Sequence, residues 1–323
     1  MSLEFRQVKL GNNQKQISGL EVAQIVLENT QSFKERLAEC ILTKDSEEGR
    51  LYSGIVVAAR NHFIKLHQEE GVELEEFDFP EIFLVPLDKR TSAAGRLGFR
   101  SYGEMFGYIN SEVGYGISGA SRDNVVAVSL GKDLLNNAQS IAHEMGHSIG
   151  RKVREIELVP DEPLKVMGQK HGYITQRSTL FLRKFPDHRI HEWGLFLEEA
   201  AAEYFSLDFL VETDNPTIAA ARNNALAESG EKDFKSFWMK RGSELRPSPK
   251  YGLALQFADI LVTKGGPEMK KLFLLARTKQ SRLWRSKLIK LIDTTFKKGT
   301  AKQILETYFE ENHIMSLIKD LKK

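Results

Sequence analysis

The sequence predicts an α+β fold, with a small mixed sheet and helices in its first half and an all-helical second half. Three observations carry this. Runs rich in β-branched and aromatic residues, bounded by Gly, Pro, Asp and Asn, crowd into residues 80 to 131. Apolar residues recur near a 3.6-residue period before that window. After Arg151 the same helical period continues to the C-terminus with almost no strand signal.

The elements follow in order. Residues 19–43 carry Leu20, Val22, Ile25, Val26, Phe33, Leu37 and Ile41 at helical spacing. Residues 49–69 form a second helix with a wider apolar arc, from Leu51 and Ile55 to Phe63 and Leu66, closed by Gly71. "EIFLVPLD" is a short strand ending at Pro86, and "MFGYIN" and "VGYGIS" are glycine-punctuated strands. "RDNVVAVSL" is a buried strand opened by a turn at Asp123-Asn124. A central helix follows it directly. Beyond it, helices are expected near 177–185, 190–212, 216–228, 231–241, 251–263, 267–277, 281–295 and 300–321, with "ELRPSPK" as a turn-rich linker. The expected organisation is therefore a unit of residues 1–150 holding the sheet and the central helix, and a helical unit of residues 151–323.

Composition narrows the class. The chain has 323 residues, 41% hydrophobic and 28% charged, which is ordinary for a folded protein and excludes fibrous or disordered types. A chain of this length buries a sizeable core without disulfides. Cys40 is the only cysteine, so no internal disulfide forms and a reducing, cytoplasmic setting is expected. "MSLEFRQVKLGNNQKQ" has no apolar segment of the secretory kind, and no run approaches the length of a spanning helix, so no membrane partner is expected. Residues 260–323 hold 15 Lys/Arg against 6 Asp/Glu, a local charge of +9, while the remainder holds 31 against 38, or −7. The lysines are spread at helical spacing, as on solvated helix faces, and nucleic acid is the partner such a surface would otherwise serve.

The chemistry lies in "SIAHEMGHSIG", residues 140–150. At about 100° per residue, His143 and His147 share one helix face with Asn136, Ser140 and Gly146. Leu134, Ala138, Ile141, Ala142, Met145 and Ile149 form the opposite, core-facing stripe. Two imidazoles at i, i+4 reach one zinc ion at roughly 2.0–2.1 Å, and the carboxylate of Glu144 can then serve a metal-activated water as general base. H-E-x-x-H on a helix is the pattern of this arrangement.

A catalytic zinc needs a third protein ligand and an open position. Val153 stands where an H-E-x-x-H-x-x-G-x-x-H site would have its last histidine. The better source is "WGLFLEEAAAEYFSLDFL", residues 193–210, where Glu199 and Glu203 lie i, i+4 on one largely apolar face. Buried carboxylates need partners. A metal ion for Glu199 and the second ring nitrogen of a ligand histidine for Glu203 meet that need. Glu198 is the rival ligand, but it has Ala202 rather than a carboxylate four residues on.

H-E-x-x-H followed tens of residues later by E-x-x-x-E resembles the gluzincin clan of zinc metallopeptidases. "EEAAAEYF" is similar to the corresponding stretches of its aminopeptidase and lethal-factor branches. The resemblance implies one zinc per chain held by His143, His147 and Glu199, with Glu144 as general base and Glu203 behind a ligand. It implies a two-lobed zincin fold with the site between the lobes, and a peptide or protein substrate. The chain departs from the aminopeptidase branch in lacking G-x-M-E-N, and from the lethal-factor branch in carrying Glu192 seven residues before Glu199.

Peptide hydrolysis also needs a donor for the developing oxyanion. Tyr173, His171, His191 and Tyr251 are the candidates, and the sequence does not choose among them. An extended substrate is expected to pair with a sheet edge near residues 105–118. His62, His67 and His313 read as packing or surface residues. The expected activity is zinc-dependent peptide hydrolysis. The alternative is a zincin-like binding module with a non-catalytic zinc, contacting nucleic acid through residues 260–323. Glu144 separates the two, because a module that only binds has no use for a carboxylate between the ligands.

Overall fold

The computed structural model describes residues 4–7, 38–74, 81–89, 125–149, 152–157, 165–171, 174–178, 190–245, 249–277 and 281–322, with positions 35, 79, 92, 93 and 96 between them. Its body is mostly helical and holds a small two-stranded parallel sheet. Strand β1 covers Glu4–Gln7. Helix α1, Glu47–Glu69, starts at Ser46, whose Oγ accepts from the Gly49 amide at 2.9 Å, and carries Glu47 and Glu48 in its first turn. Both features favour a helix N-terminus, one by satisfying an orphan N–H and the other through the helix dipole. Tyr52, Ile55, Ala59, Phe63 and His67 are its buried stripe, at the spacing the sequence predicts.

Strands β2 (Glu81–Val85) and β3 (Val125–Ser129) pair in parallel, with Glu81 opposite Val125 and Val85 opposite Ser129. Val126 and Val128 are buried, as expected of the inward positions of a period-2 strand. Helix α2, Leu134–Ile149, follows after a short connection. Asp133 accepts from the Asn136 amide at 2.7 Å, and Asn137 holds both Gly131 and the Tyr52 hydroxyl, so the start of α2 is tied to α1.

The chain then departs from the expected all-helical course. Residues 152–193 contribute four strands: β4 (Lys152–Glu157), β5 (Lys165–His171), β6 (Ile174–Ser178) and β7 (Ile190–Trp193). They form an antiparallel meander, and β1 joins its edge parallel to β4, giving the order β1-β4-β5-β6-β7. This overturns the confinement of strands to residues 80–131. The first two residues of the helix expected at 177–185 lie in β6 and the rest of it lies outside the described residues, and the start of the next helix moves from 190 to 195. The physical reason is that "KVREIE" and "ITQRS" are short, polar and poor in aromatics. Their ladder hydrogen bonds come from the adjoining strands of the meander, and the periodicity within one segment does not register pairing with another.

Helix α3, Leu195–Glu212, is apolar on nearly every side and buried along most of its length, the signature of a helix packed all round. Helices α4 (Pro216–Ser229), α5 (Phe234–Leu245), α6 (Pro249–Leu275), α7 (Ser281–Thr295), α8 (Thr300–Glu306) and α9 (Glu311–Leu321) complete the chain. Asn215 caps α4 through its side-chain oxygen. Gly266, at φ 68°, breaks α6 before Pro267, so the two helices expected at 251–263 and 267–277 are one interrupted run. The expected helix at 300–321 is instead the pair α8 and α9. Residues 38–46 are turns and bends where the first predicted helix would end, and most of that helix, with the strands expected at 105–118, lies outside the described residues. One buried apolar cluster runs from Tyr52 on α1 through α2 and α3 to Leu321 on α9. Among the described residues no helix is long and apolar enough to cross a membrane.

Candidate metal centre

Among the described residues, helices α2 and α3 pack against each other more extensively than any other helix pair. Small residues permit it. A Cβ placed on Gly146 would stand 3.3 Å from the Phe63 ring of α1 and 3.9 Å from the Ala202 backbone of α3, so these helices meet at a residue with no side chain. Gly194, at φ 76°, opens α3 in the left-handed region that glycine tolerates, and its N–H donates to the Leu305 carbonyl at 2.9 Å. The first turns of α3 thus bring Glu198, Glu199 and Glu203 against the histidine face of α2. Glu198 lies in the first turn of α3, where the helix dipole favours an acidic side chain.

His143, His147 and Glu199 converge. The two Nε2 atoms lie 3.0 Å apart, and Glu199 Oε2 lies 3.3 Å from one and 3.6 Å from the other. The centre of that triangle is about 1.9 Å from each corner, close to the roughly 2.0–2.2 Å of zinc–nitrogen and zinc–oxygen bonds. The outer ring nitrogens have their own partners. His147 Nδ1 meets Glu198 Oε1 at 3.2 Å. His143 Nδ1 lies 3.0 Å from Glu203 Oε1, obliquely to the line of an ideal hydrogen bond. In the neutral tautomer with each proton on Nδ1, both Nε2 lone pairs face the Glu199 carboxylate, and three acceptors share one point. A cation resolves that conflict.

Charge balance leads to the same conclusion. Among the described residues, Glu144, Glu198, Glu199 and Glu203 place four carboxylates at the site against one guanidinium, Arg277. Burial acts to lower the His143 imidazole, but Glu203 and Glu199 outweigh it and hold the group at about 9. Burial likewise acts to lower His147, and Glu199 and Glu198 raise it to about 10. Burial would raise the Glu199 carboxyl, yet the facing imidazoles hold it well below the usual carboxylate range. Among the described residues the field at this point favours positive charge, as protons on the imidazoles or as a bound metal ion.

The supporting shell is more extensive than the sequence disclosed. Glu203 is buried and its Oε2 accepts from Gln139 Nε2 at 3.0 Å. Gln139 in turn accepts from the Trp238 indole at 2.7 Å and lies 3.3 Å from the Ser206 hydroxyl. Glu198, a rival ligand on the sequence alone, is fully buried and lies behind His147, not in the triangle. Arg277 bonds it and the Gly146 carbonyl. A signal for Glu198 was present: at 100° per residue it and Glu203 flank Glu199 on opposite sides, one for each histidine. Arg277, Gln139 and Trp238 offered no local signal, because only the packing of α5 and α6 brings the arginine and the tryptophan to α2 and α3.

Glu144 is buried, with Oε1 4.0 Å from His143 Nε2, outside the triangle but beside it. Of the four oxyanion-donor candidates, Tyr251 on α6 has its ring centre 6.1 Å from that of His143. His171 and His191 end up on β5 and β7, and Tyr173 lies outside the described residues. His62 and His67 are packing residues as expected, and His313 is an exposed residue 3.3 Å from Glu310.

No protein-family model, no curated protein and no solved structure matches this chain.

Proposed function

We propose that the chain is a zinc-dependent peptidase of the gluzincin type, with a two-lobed zincin architecture and one zinc held by His143, His147 and Glu199. The observation that carries this is the meeting of three metal-directed atoms from α2 and α3 with a buried carboxylate, Glu144, alongside. A two-histidine, one-glutamate donor set is that of catalytic zinc peptidases, in which the fourth position stays open. Zinc held there supplies a Lewis acid that polarises a carbonyl and acidifies water.

The chain's own residues supply the rest. Glu144 removes a proton from the attacking water and returns it to the departing amine. Tyr251, half-buried with its ring 6.1 Å from that of His143, donates a hydrogen bond to the developing oxyanion. Glu198 and Glu203 fix the ring orientations of His147 and His143, and Gln139 holds Glu203 in turn. The substrate is a peptide or protein.

The test is a peptide-library digest by the purified chain, with and without chelator, read by mass spectrometry. Glu144→Gln is expected to keep about one zinc per chain and to lower turnover by roughly 100- to 10,000-fold, the usual worth of a general base. Undiminished hydrolysis by that variant removes Glu144 from the role, and protein that never takes up zinc ends the peptidase case.

A further inference from the structure

The two candidate ligand histidines are anchored unequally. His143 has Glu203, which is held by the neutral amide of Gln139. His147 has Glu198, and a single oxygen, Oε1, takes both His147 Nδ1 and Nη2 of Arg277. The same Nη2 also donates to the Gly146 carbonyl at 2.8 Å. Gly146 stands immediately before His147 on α2. One guanidinium nitrogen thus joins the helix that carries the histidine to the carboxylate that orients it. Arg277 comes from beyond the end of α6, is itself 4% exposed, and faces a Glu198 that is wholly buried.

We propose that Arg277 is a positioning residue for the metal, acting through Glu198 on His147. A carboxylate with no exposure to water must be compensated or it leaves its place. Arg277 bonds the Glu198 carboxylate and fixes its rotamer. The fixed Oε1 holds the proton of His147 on Nδ1, and that leaves Nε2 free for the metal. A planar guanidinium suits this task because two N–H bonds of one nitrogen can point to two acceptors in set directions, whereas an ammonium has no such fork. His143 needs no such arginine, since Gln139 and Ser206 already hold the Glu203 side of α3 against α2. The proposal rests on the metal part of the function proposed above and not on the peptidase chemistry.

The test uses the full chain loaded with cobalt(II), whose visible bands report ligand geometry without any turnover. Arg277→Met and Glu198→Gln are each expected to speed cobalt loss to a chelator by roughly 10- to 100-fold, the usual cost of an outer partner, and to shift the bands. Because both act along one path, the double variant is expected to lose cobalt no faster than the faster single variant. Glu203→Gln, on the other histidine, is expected to multiply with Arg277→Met. A folded Arg277→Met protein with parental spectrum and release rate overturns the proposal, and so does a double variant whose effect is the product of the two. If Arg277→Met alone does not fold, the double variant leaves no buried charge unpaired, and its comparison with Glu198→Gln decides: equal release supports the path, much faster release overturns it. A parent chain that takes up no cobalt overturns this proposal together with the metal site. A parent that binds cobalt, matched by Arg277→Met, overturns this proposal alone.

Discussion

Helix α3 meets buried histidines at both ends, and the two ends treat them in opposite ways. Near its N-terminus, His143 and His147 face Glu198, Glu199 and Glu203 and are raised to about 9 and 10. Near its C-terminus, His62 of α1 packs edge-on to Phe63 and against Phe209, 3.6 Å from Asp208, and falls to about 4. Burial acts in the same direction on all three. The difference lies in what surrounds the carboxylate. Burial is the main cause of the fall, and Lys270, at 3.0 and 3.2 Å from Asp208, opposes the pull of that carboxylate on His62. At the other end the carboxylates outnumber the only described cation, Arg277. A histidine beside an acid is therefore not in itself a charged or metal-directed histidine, since burial and the other charges nearby decide.

The largest test of this contrast is removal of the carboxylate that faces both imidazoles. Glu199→Ala is expected to weaken zinc binding by more than the roughly 100-fold typical of outer partners, and Glu198→Ala by less, as measured by metal analysis after dialysis against graded chelator. The reverse order would move the ligand by one residue and undo the assignment of the two carboxylates.

The pH dependence of the metal-free protein sharpens it further. His143 and His147 are raised, so their contribution to stability is complete below about 6.5 and disappears as pH climbs through 9 to 10. His62 is lowered, so it costs nothing above about 6.5 and destabilises the fold as pH falls towards 4. Urea melts across this range are expected to fall off on both sides. His62→Gln is expected to reduce the acid limb alone, and His143→Gln to reduce the alkaline limb alone, leaving the share of His147. Limbs that respond to the wrong variant would show that the two ends of α3 are not electrically independent.

The smallest effect is expected at the C-terminal end. Lys270→Met frees Asp208 to act on His62, and the His62 titration followed by NMR should move upward, with little change in stability because Lys270 is over a third exposed. A titration that stays where it was would assign the low value to burial alone.

Much of this was legible before any coordinates. The i, i+4 spacing of the histidines, the intervening Glu144 and the i, i+4 pair Glu199 and Glu203 are helix-periodic facts, and periodicity survives translation into structure. The buried stripe of α1 and the β3–α2 succession were legible for the same reason. The meander of β4 to β7 was not, because strands of mixed polarity are stabilised by partners in other segments. Nor was the role of Arg277, which is 79 residues from Glu198 and 131 from Gly146.

The sequence by itself determined which helix faces carry nitrogen and carboxylate ligands, because a regular helix turns linear spacing into angle with no outside help. Only the tertiary structure decided that those faces meet, that Glu198 lies behind His147 while Glu199 faces both imidazoles, and that an arginine from the end of α6 balances the buried charge. Those outcomes depend on close packing at Gly146 and Ala202 and on fields summed over several elements, and neither can be read from the order of residues in any single one.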